Sequence, residues 1–274
     1  MIKTEMRNTH TTHIDSMTTE EMMRVMQNEN INAARAVESQ LREIAKAVDA
    51  ISERMKSGGR LFYVGCGTSG RLGVLDAAEC PPTYGVSPDT VVGIISGGDA
   101  AIRRAAEGAE DNYEAGCADL SAYNLTSYDS VVGISVAGGA KYVLGALALA
   151  RGVGALTVAL TCNDGCPIEQ GVDIRIHPDT GAEVITGSTR MKAGTAHKMI
   201  LNMISTGVMI KQGYVYENLM INLRPSNMKL RSRMIRIVRD IIPVSCAEAE
   251  KLLEESDFVI REAVAKYKLR KAEI

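Results

Sequence analysis

Residues Leu61–Gly85, LFYVGCGTSGRLGVLDAAECPPTYG, join a continuously apolar strand pattern to a turn rich in glycine and hydroxyls, then to a helix that carries one carboxylate. Leu61–Val64 reads as a strand buried on both faces. Gly65, Gly67 and Gly70 permit a tight turn whose backbone N–H groups face outward at the start of the next helix. Thr68 and Ser69 add neutral hydrogen-bond donors and Arg71 adds a charge, a combination suited to an anionic small molecule. Glu79 falls near the end of that helix, just before Cys80-Pro81-Pro82, where two prolines are expected to stop the helix and fix the carboxylate at its exit. The spacing also matches G-x-G-x-x-G, but a dinucleotide site wants an acidic residue about 20 residues later, at the end of the second strand. Here that strand is 90–95 and the next acid, Asp99, comes late. Two hydroxyls inside the turn also suit a terminal phosphate or a polar sugar better than a pyrophosphate.

Outward from this stretch the chain alternates. Strands are expected near 60–64, 91–95, 130–136, 155–160 and 174–177, and helices near 70–79, 100–116, 142–151 and 187–211. Such alternation implies a parallel sheet covered by helices on both faces, with ligands at the carboxyl ends of the strands. Upstream, the polar residues 1–17 look extended, and Thr18–Glu21 supplies a cap and an acidic first turn for a short helix to about Gln27. The apolar positions Ala34, Val37, Leu41, Ile44, Val48, Ile51 and Met55 predict one long helix over 31–56, ended by Gly58-Gly59. After Asn227 three short amphipathic helices are expected, with Pro243 closing the first. The organisation predicted is an N-terminal helical segment (1–57), an α/β unit (58–226) and a helical tail (227–274).

With 274 residues, 46% of them apolar, the chain can bury a sizeable core. A net charge of −2 gives no long-range attraction to nucleic acid or membranes. No apolar run approaches the roughly 18 residues needed to span a bilayer, so a cytoplasmic location is the default expectation. The six cysteines are scattered, and Cys162/Cys166 has neither C-x-x-C spacing nor a second pair, so reduced thiols and no zinc site are expected. His10 and His13 lie in a polar leader, and no metal is assigned to them.

Two further segments can carry chemistry. Glu107 and Glu110, three apart in AAEGAED, would share one face of a helix following the second strand. Together with Glu79 they could form an acid–base couple, although glutamates on helices are more often solvated or salt-bridged. Gly187–Thr195, GSTRMKAGT, opens a helix with Ser188, Thr189 and the cations Arg190 and Lys192. Those cations oppose the helix dipole and so suggest an anion nearby, against the plainer reading of an ordinary capped helix.

GCGTSGRLGVLDAAECPPTYG, AAEGAED and EVITGSTRMKAGTAHKMILNMIST together resemble the N-acetylmuramic acid 6-phosphate etherases, a branch of the sugar isomerase (SIS) superfamily that also includes the glucokinase regulatory protein. The resemblance runs from about Thr4 to Asn227 and continues more weakly through the tail. It implies a flavodoxin-like SIS domain with a five-stranded parallel sheet flanked by helices, a small C-terminal helical tail, a homodimer with sites near the subunit interface, and no cofactor. The implied reaction removes the D-lactyl ether from a phosphosugar, N-acetylmuramic acid 6-phosphate, giving N-acetylglucosamine 6-phosphate and D-lactate, as in cell-wall sugar recycling. Glu79 matches the family's proton-donating ECPP glutamate and Glu110 the second catalytic carboxylate. Gly67, Thr68, Ser69, Gly70, Glu107, Ser188, Thr189 and Lys192 are the expected substrate-binding residues.

One loop departs from the family. After the third strand the family has a segment resembling SGRTPY, whose hydroxyls hold the sugar phosphate, whereas this chain reads Ala137-Gly138-Gly139-Ala140-Lys141-Tyr142. A non-catalytic phosphosugar sensor and a sugar isomerase are therefore the competing expectations.

Overall fold

The computed structural model describes residues 2–225 and 227–272; Ser226, at the expected boundary before the tail, lies outside them. Two compact units partition the chain: Met1–Ala78 with Asp89–Val208, and Glu79–Pro88 with Met209–Ile274.

In the first unit, five parallel strands, β1 (Leu61–Gly65), β2 (Val91–Ile95), β3 (Ser130–Ile134), β4 (Leu156–Leu160) and β5 (Ile174–Ile176), pair in the order β2-β1-β3-β4-β5. Every residue of β1, β3 and β4 is buried, as strands covered on both faces require. The order reverses between β1 and β3, which opens a crevice at their carboxyl ends. Gly65 and Gly70 set the first turn of that crevice. A Cβ on Gly65 would stand 2.7 Å from the Gly70 nitrogen, and one on Gly70 would stand 2.6 Å from the Gly65 carbonyl oxygen. Side chains at either position would push the strand end away from the helix start.

Several expected boundaries move. The helical N-terminus is two helices, α1 (Thr19–Glu38) and α2 (Leu41–Lys56), so the break falls at Ser39-Gln40 and not near residue 28. Thr18 and Glu21 form a reciprocal capping box, while Ser39 turns its hydroxyl back to the Ala36 carbonyl at 2.7 Å, a local bond that competes with helix continuation. Residues 2–17 are not extended but make three short 3-10 turns. The helix after β1, α3 (Gly67–Tyr84), runs through Pro81 and Pro82 to end at Gly85. Those prolines cost the final turn two N–H donors without stopping it, and the Gly85 N–H closes the turn on the Pro81 carbonyl at 2.9 Å.

The helix expected over 100–116 is instead α4 (Ala100–Arg103), a loop with a 3-10 turn at Ala109–Asp111, and α5 (Tyr113–Ser121). Gly108 takes a φ of 71°, a left-handed conformation that interrupts any helix. Glu107 and Glu110 therefore do not share a helix face. After β3 comes α6 (Lys141–Val153), and α7 covers Lys192–Lys211, so residues 187–191 form turns ahead of it.

In the second unit, a hairpin of β6 (Val215–Tyr216) and β7 (Leu219–Met220) precedes α8 (Met228–Ile241), α9 (Cys246–Glu254) and α10 (Ile260–Ala272). The three helices share a core of Met234, Ile237, Val238, Leu252, Leu253 and Ile260.

Candidate active site

At the carboxyl ends of β1 and β3 lies a cavity of about 410 Å³. The first turn of α3 contributes Gly67, Thr68 and Ser69, the β3–α6 loop contributes Ala137, Gly139 and Ala140, and Glu110 and Thr189 enter from separate loops. Two helices of more than ten residues, α3 and α6, begin at this cavity. Their leading N–H groups and dipoles make that end attractive to an anion. Ala140 caps α6 without a side-chain hydrogen bond, and the hydroxyls of Thr68 and Ser69 have no hydrogen-bond partner among the described residues. Donors for a phosphate are thus present even though the loop lacks hydroxyls.

Glu110 sits on the 3-10 turn after β2, and Ser96, just past that strand, anchors the turn by donating its hydroxyl to the Ala109 carbonyl at 2.7 Å. A second cavity, about 290 Å³, shares Cys66, Gly67 and Glu110 with the first and adds Glu107. Arg71, expected to bring charge toward the ligand, instead donates to the carbonyls of Ile102 at 2.9 Å and Ala101 at 2.8 Å, closing the end of α4.

Proton chemistry in the cavity falls to carboxylates. Burial pushes the Cys66 thiol up to about 12, with Glu110 adding to the rise and a Ser96 hydrogen bond opposing it, so Cys66 stays protonated. His197 is fully buried beside Cys162 Sγ at 3.4 Å, and desolvation lowers it to about 4. It is a neutral core residue.

The segment before α7 differs from its sequence reading. Its leading N–H groups already have an anion, because Glu183 accepts from Lys192 at 2.9 Å and from Ala193 at 3.0 Å. The Lys192 ammonium is buried against the Glu29 carboxylate and also donates to the Ala182 carbonyl at 2.8 Å. Neither group is left over for a phosphate. Ser188 is half-buried in the turn beside Thr189.

Of the expected residues, the main cavity gathers Gly67, Thr68, Ser69, Glu110 and Thr189, while Gly70 packs behind them and Glu107 lines the adjoining space. Glu79 belongs to the second unit and is exposed there. Sequence reasoning missed Glu5, which also lines the main cavity. The signal was the polar run Lys3–Ser16, too hydrophilic to read as part of a wall.

A protein of Caldanaerobacter subterraneus subsp. tengcongensis named N-acetylmuramic acid 6-phosphate etherase is 53% identical over 261 residues, which cover 95% of this chain and 85% of that one. The chain belongs to this etherase family. A Bacillus subtilis (strain 168) protein of the same name is 50% identical over 267 residues, covering 97% and 88% of the two chains. The glucokinase regulatory protein N-terminal SIS domain family matches residues 43–151, a span that runs from α2 to α6. Among solved structures, a phosphoheptose isomerase from Neisseria gonorrhoeae superposes with a TM-score of 0.53 at 18% identity, over 70% of this chain and 98% of its own. A phosphoheptose isomerase from Francisella tularensis gives 0.53 at 16% identity, over 71% and 100%. These two likenesses place the etherase family's sheet and flanking helices in the SIS fold. Among the described residues no helix is long and apolar enough to cross a membrane.

Proposed function

We propose that the chain is a lyase that cleaves the D-lactyl ether of N-acetylmuramic acid 6-phosphate, and that Glu110 in the β1/β3 crevice is its base. The carrying observation is the cavity itself, where an exposed carboxylate on an anchored turn faces two helix N-termini and unpartnered hydroxyls. The sugar phosphate rests on Thr68, Ser69 and the leading N–H groups of α3 and α6. In the open-chain sugar the C1 aldehyde acidifies the C2 proton. Glu110 takes that proton, the C3–O bond to lactate breaks, and Glu79 protonates the departing oxygen. Water then adds to C3 of the unsaturated aldehyde, which gives N-acetylglucosamine 6-phosphate and returns both carboxyl groups to their starting states. Glu107 orients the sugar, and Gly67, Ser188 and Thr189 complete its contacts. Lys192 acts from behind, by fixing the turn through Glu29.

Dimerisation and a cytoplasmic location belong to the same reading. Met23 and Ile31 on α1, Leu75 on α3 and Met203 on α7 are between 37% and 51% exposed, apolar surface that a second copy of the chain would cover. Incubating the purified protein with N-acetylmuramic acid 6-phosphate and assaying D-lactate tests the activity. Tight binding of phosphosugars without lactate release would favour the sensor reading, which the hydroxyl-free loop at 137–140 supports.

A further inference from the structure

We propose that Glu5 is a specificity-determining residue that makes the α7 end of the cavity a subsite for neutral hydrogen-bond donors and closes it to a second phosphate. The inference rests on the phosphosugar reading above. Glu5 reaches the cavity on a strap tied down at both sides. The Lys3 N–H donates to Asn163 Oδ1 at 2.9 Å, and Asn163 Nδ2 donates to Thr4 Oγ1 at 3.3 Å and to the Val136 carbonyl at 2.9 Å. Thr4 is completely buried, and Thr11 Oγ1 donates to the Val184 carbonyl at 2.8 Å. Val136 directly precedes the hydroxyl-free loop, so one amide, Asn163, holds the strap and that loop in register.

The Glu5 carboxylate points to the turn before α7. Its Oε2 lies 3.3 Å from where a Cβ on Gly187 would stand, a position whose φ of +75° also favours glycine. The Glu5 carboxylate has no hydrogen bond or ion pair among the described residues. Nearby, Glu183 has taken the α7 N–H groups and Glu29 the Lys192 ammonium. This end of the cavity therefore offers the Glu5 carboxylate and the Thr189 hydroxyl. The opposite end offers two helix N-termini. A ligand with one phosphate fits in one direction only, its phosphate at α3 and α6 and its hydroxyl or amide N–H groups on Glu5. A ligand with anions at both ends meets like charge at Glu5.

The test measures calorimetric dissociation constants of N-acetylglucosamine 6-phosphate and of glucose 1,6-bisphosphate for the wild type, Glu5→Gln and Glu5→Asp. Glu5→Gln should weaken the monophosphate about tenfold and cut its preference over the bisphosphate at least tenfold; Glu5→Asp should keep part of the preference. An unchanged preference in Glu5→Gln would overturn the proposal, as would a wild type that binds neither sugar. A wild type that discriminates between them yet releases no lactate would remove the etherase reading and leave the assignment of Glu5 standing.

Discussion

Lys192 and Glu29 form an ion pair in which neither side chain is more than 5% exposed. It joins the start of α7 to the middle of α1, and His10 Nδ1 lies 3.1 Å from the other Glu29 oxygen. Removing one partner leaves the other charged and buried, which costs about 3–5 kcal/mol. Glu29→Gln and Lys192→Met are each expected to lower the unfolding free energy by about that amount in urea titrations. The double variant should recover much of the loss.

The same pair sets an acid limit. Burial alone would raise the Glu29 carboxyl, but hydrogen bonds from Lys192 and His10 outweigh it and hold the group below its ordinary 4.5. A depressed folded value means that this stabilisation is complete above 4.5 and is lost as pH falls through the folded value. Glu183 has the opposite sign: burial raises it despite the N–H groups of Ala193 and Lys192. Melting temperatures measured downward from pH 5 should therefore fall less steeply in Glu29→Gln than in the wild type. Parallel curves would assign the acid limit to other groups.

Glu110→Gln and Glu79→Gln should each reduce D-lactate release by two to four orders of magnitude, since positioned proton transfer commonly contributes that much. Both side chains are exposed, so melting temperatures should stay within about 2 °C. Near-normal turnover in either variant would remove that residue from the chemistry.

Restoring hydroxyls at the loop should act twice. Ala140 is the uncapped N-cap of α6, so Ala140→Thr should stabilise the protein by about 1 kcal/mol through the cap alone. Combined with Ala137→Ser it should also tighten N-acetylglucosamine 6-phosphate about tenfold relative to N-acetylglucosamine. Stabilisation without that differential would mean that the loop does not face the phosphate.

Cys66 lines the cavity with its thiol pushed up to about 12, so iodoacetamide at pH 8 should modify the exposed Cys246 and spare Cys66. Mass spectrometry of the labelled peptides reads the outcome directly.

The sheet was legible because Phe62-Tyr63-Val64, Val131-Val132 and Val158-Ala159-Leu160 are continuously apolar, a pattern that only a doubly covered strand tolerates. The crevice followed from the glycine turn after β1. Helix boundaries were less legible where tertiary contacts overrode local signals: the break expected after Gln27 falls beside Glu29, which is buried on Lys192, and Pro81-Pro82 read as a stop but occupy a last turn that survives without their donors. Lys192 itself looked like a free cation, because its partner lies 163 residues away. Glu5 was invisible for the same reason, since what holds its strap comes from residues 163 and 184.

That strap has a consequence for biosynthesis. The partners of residues 3–11, at 163–184, emerge from the ribosome some 160 residues after them, at the ordinary pace of synthesis roughly ten to thirty seconds later. Until then the β1–α3 turn can form but its far wall cannot. The nascent chain thus acquires its sheet progressively and its ligand selectivity in one later event, when residues 3–11 dock against loops made some 160 residues after them.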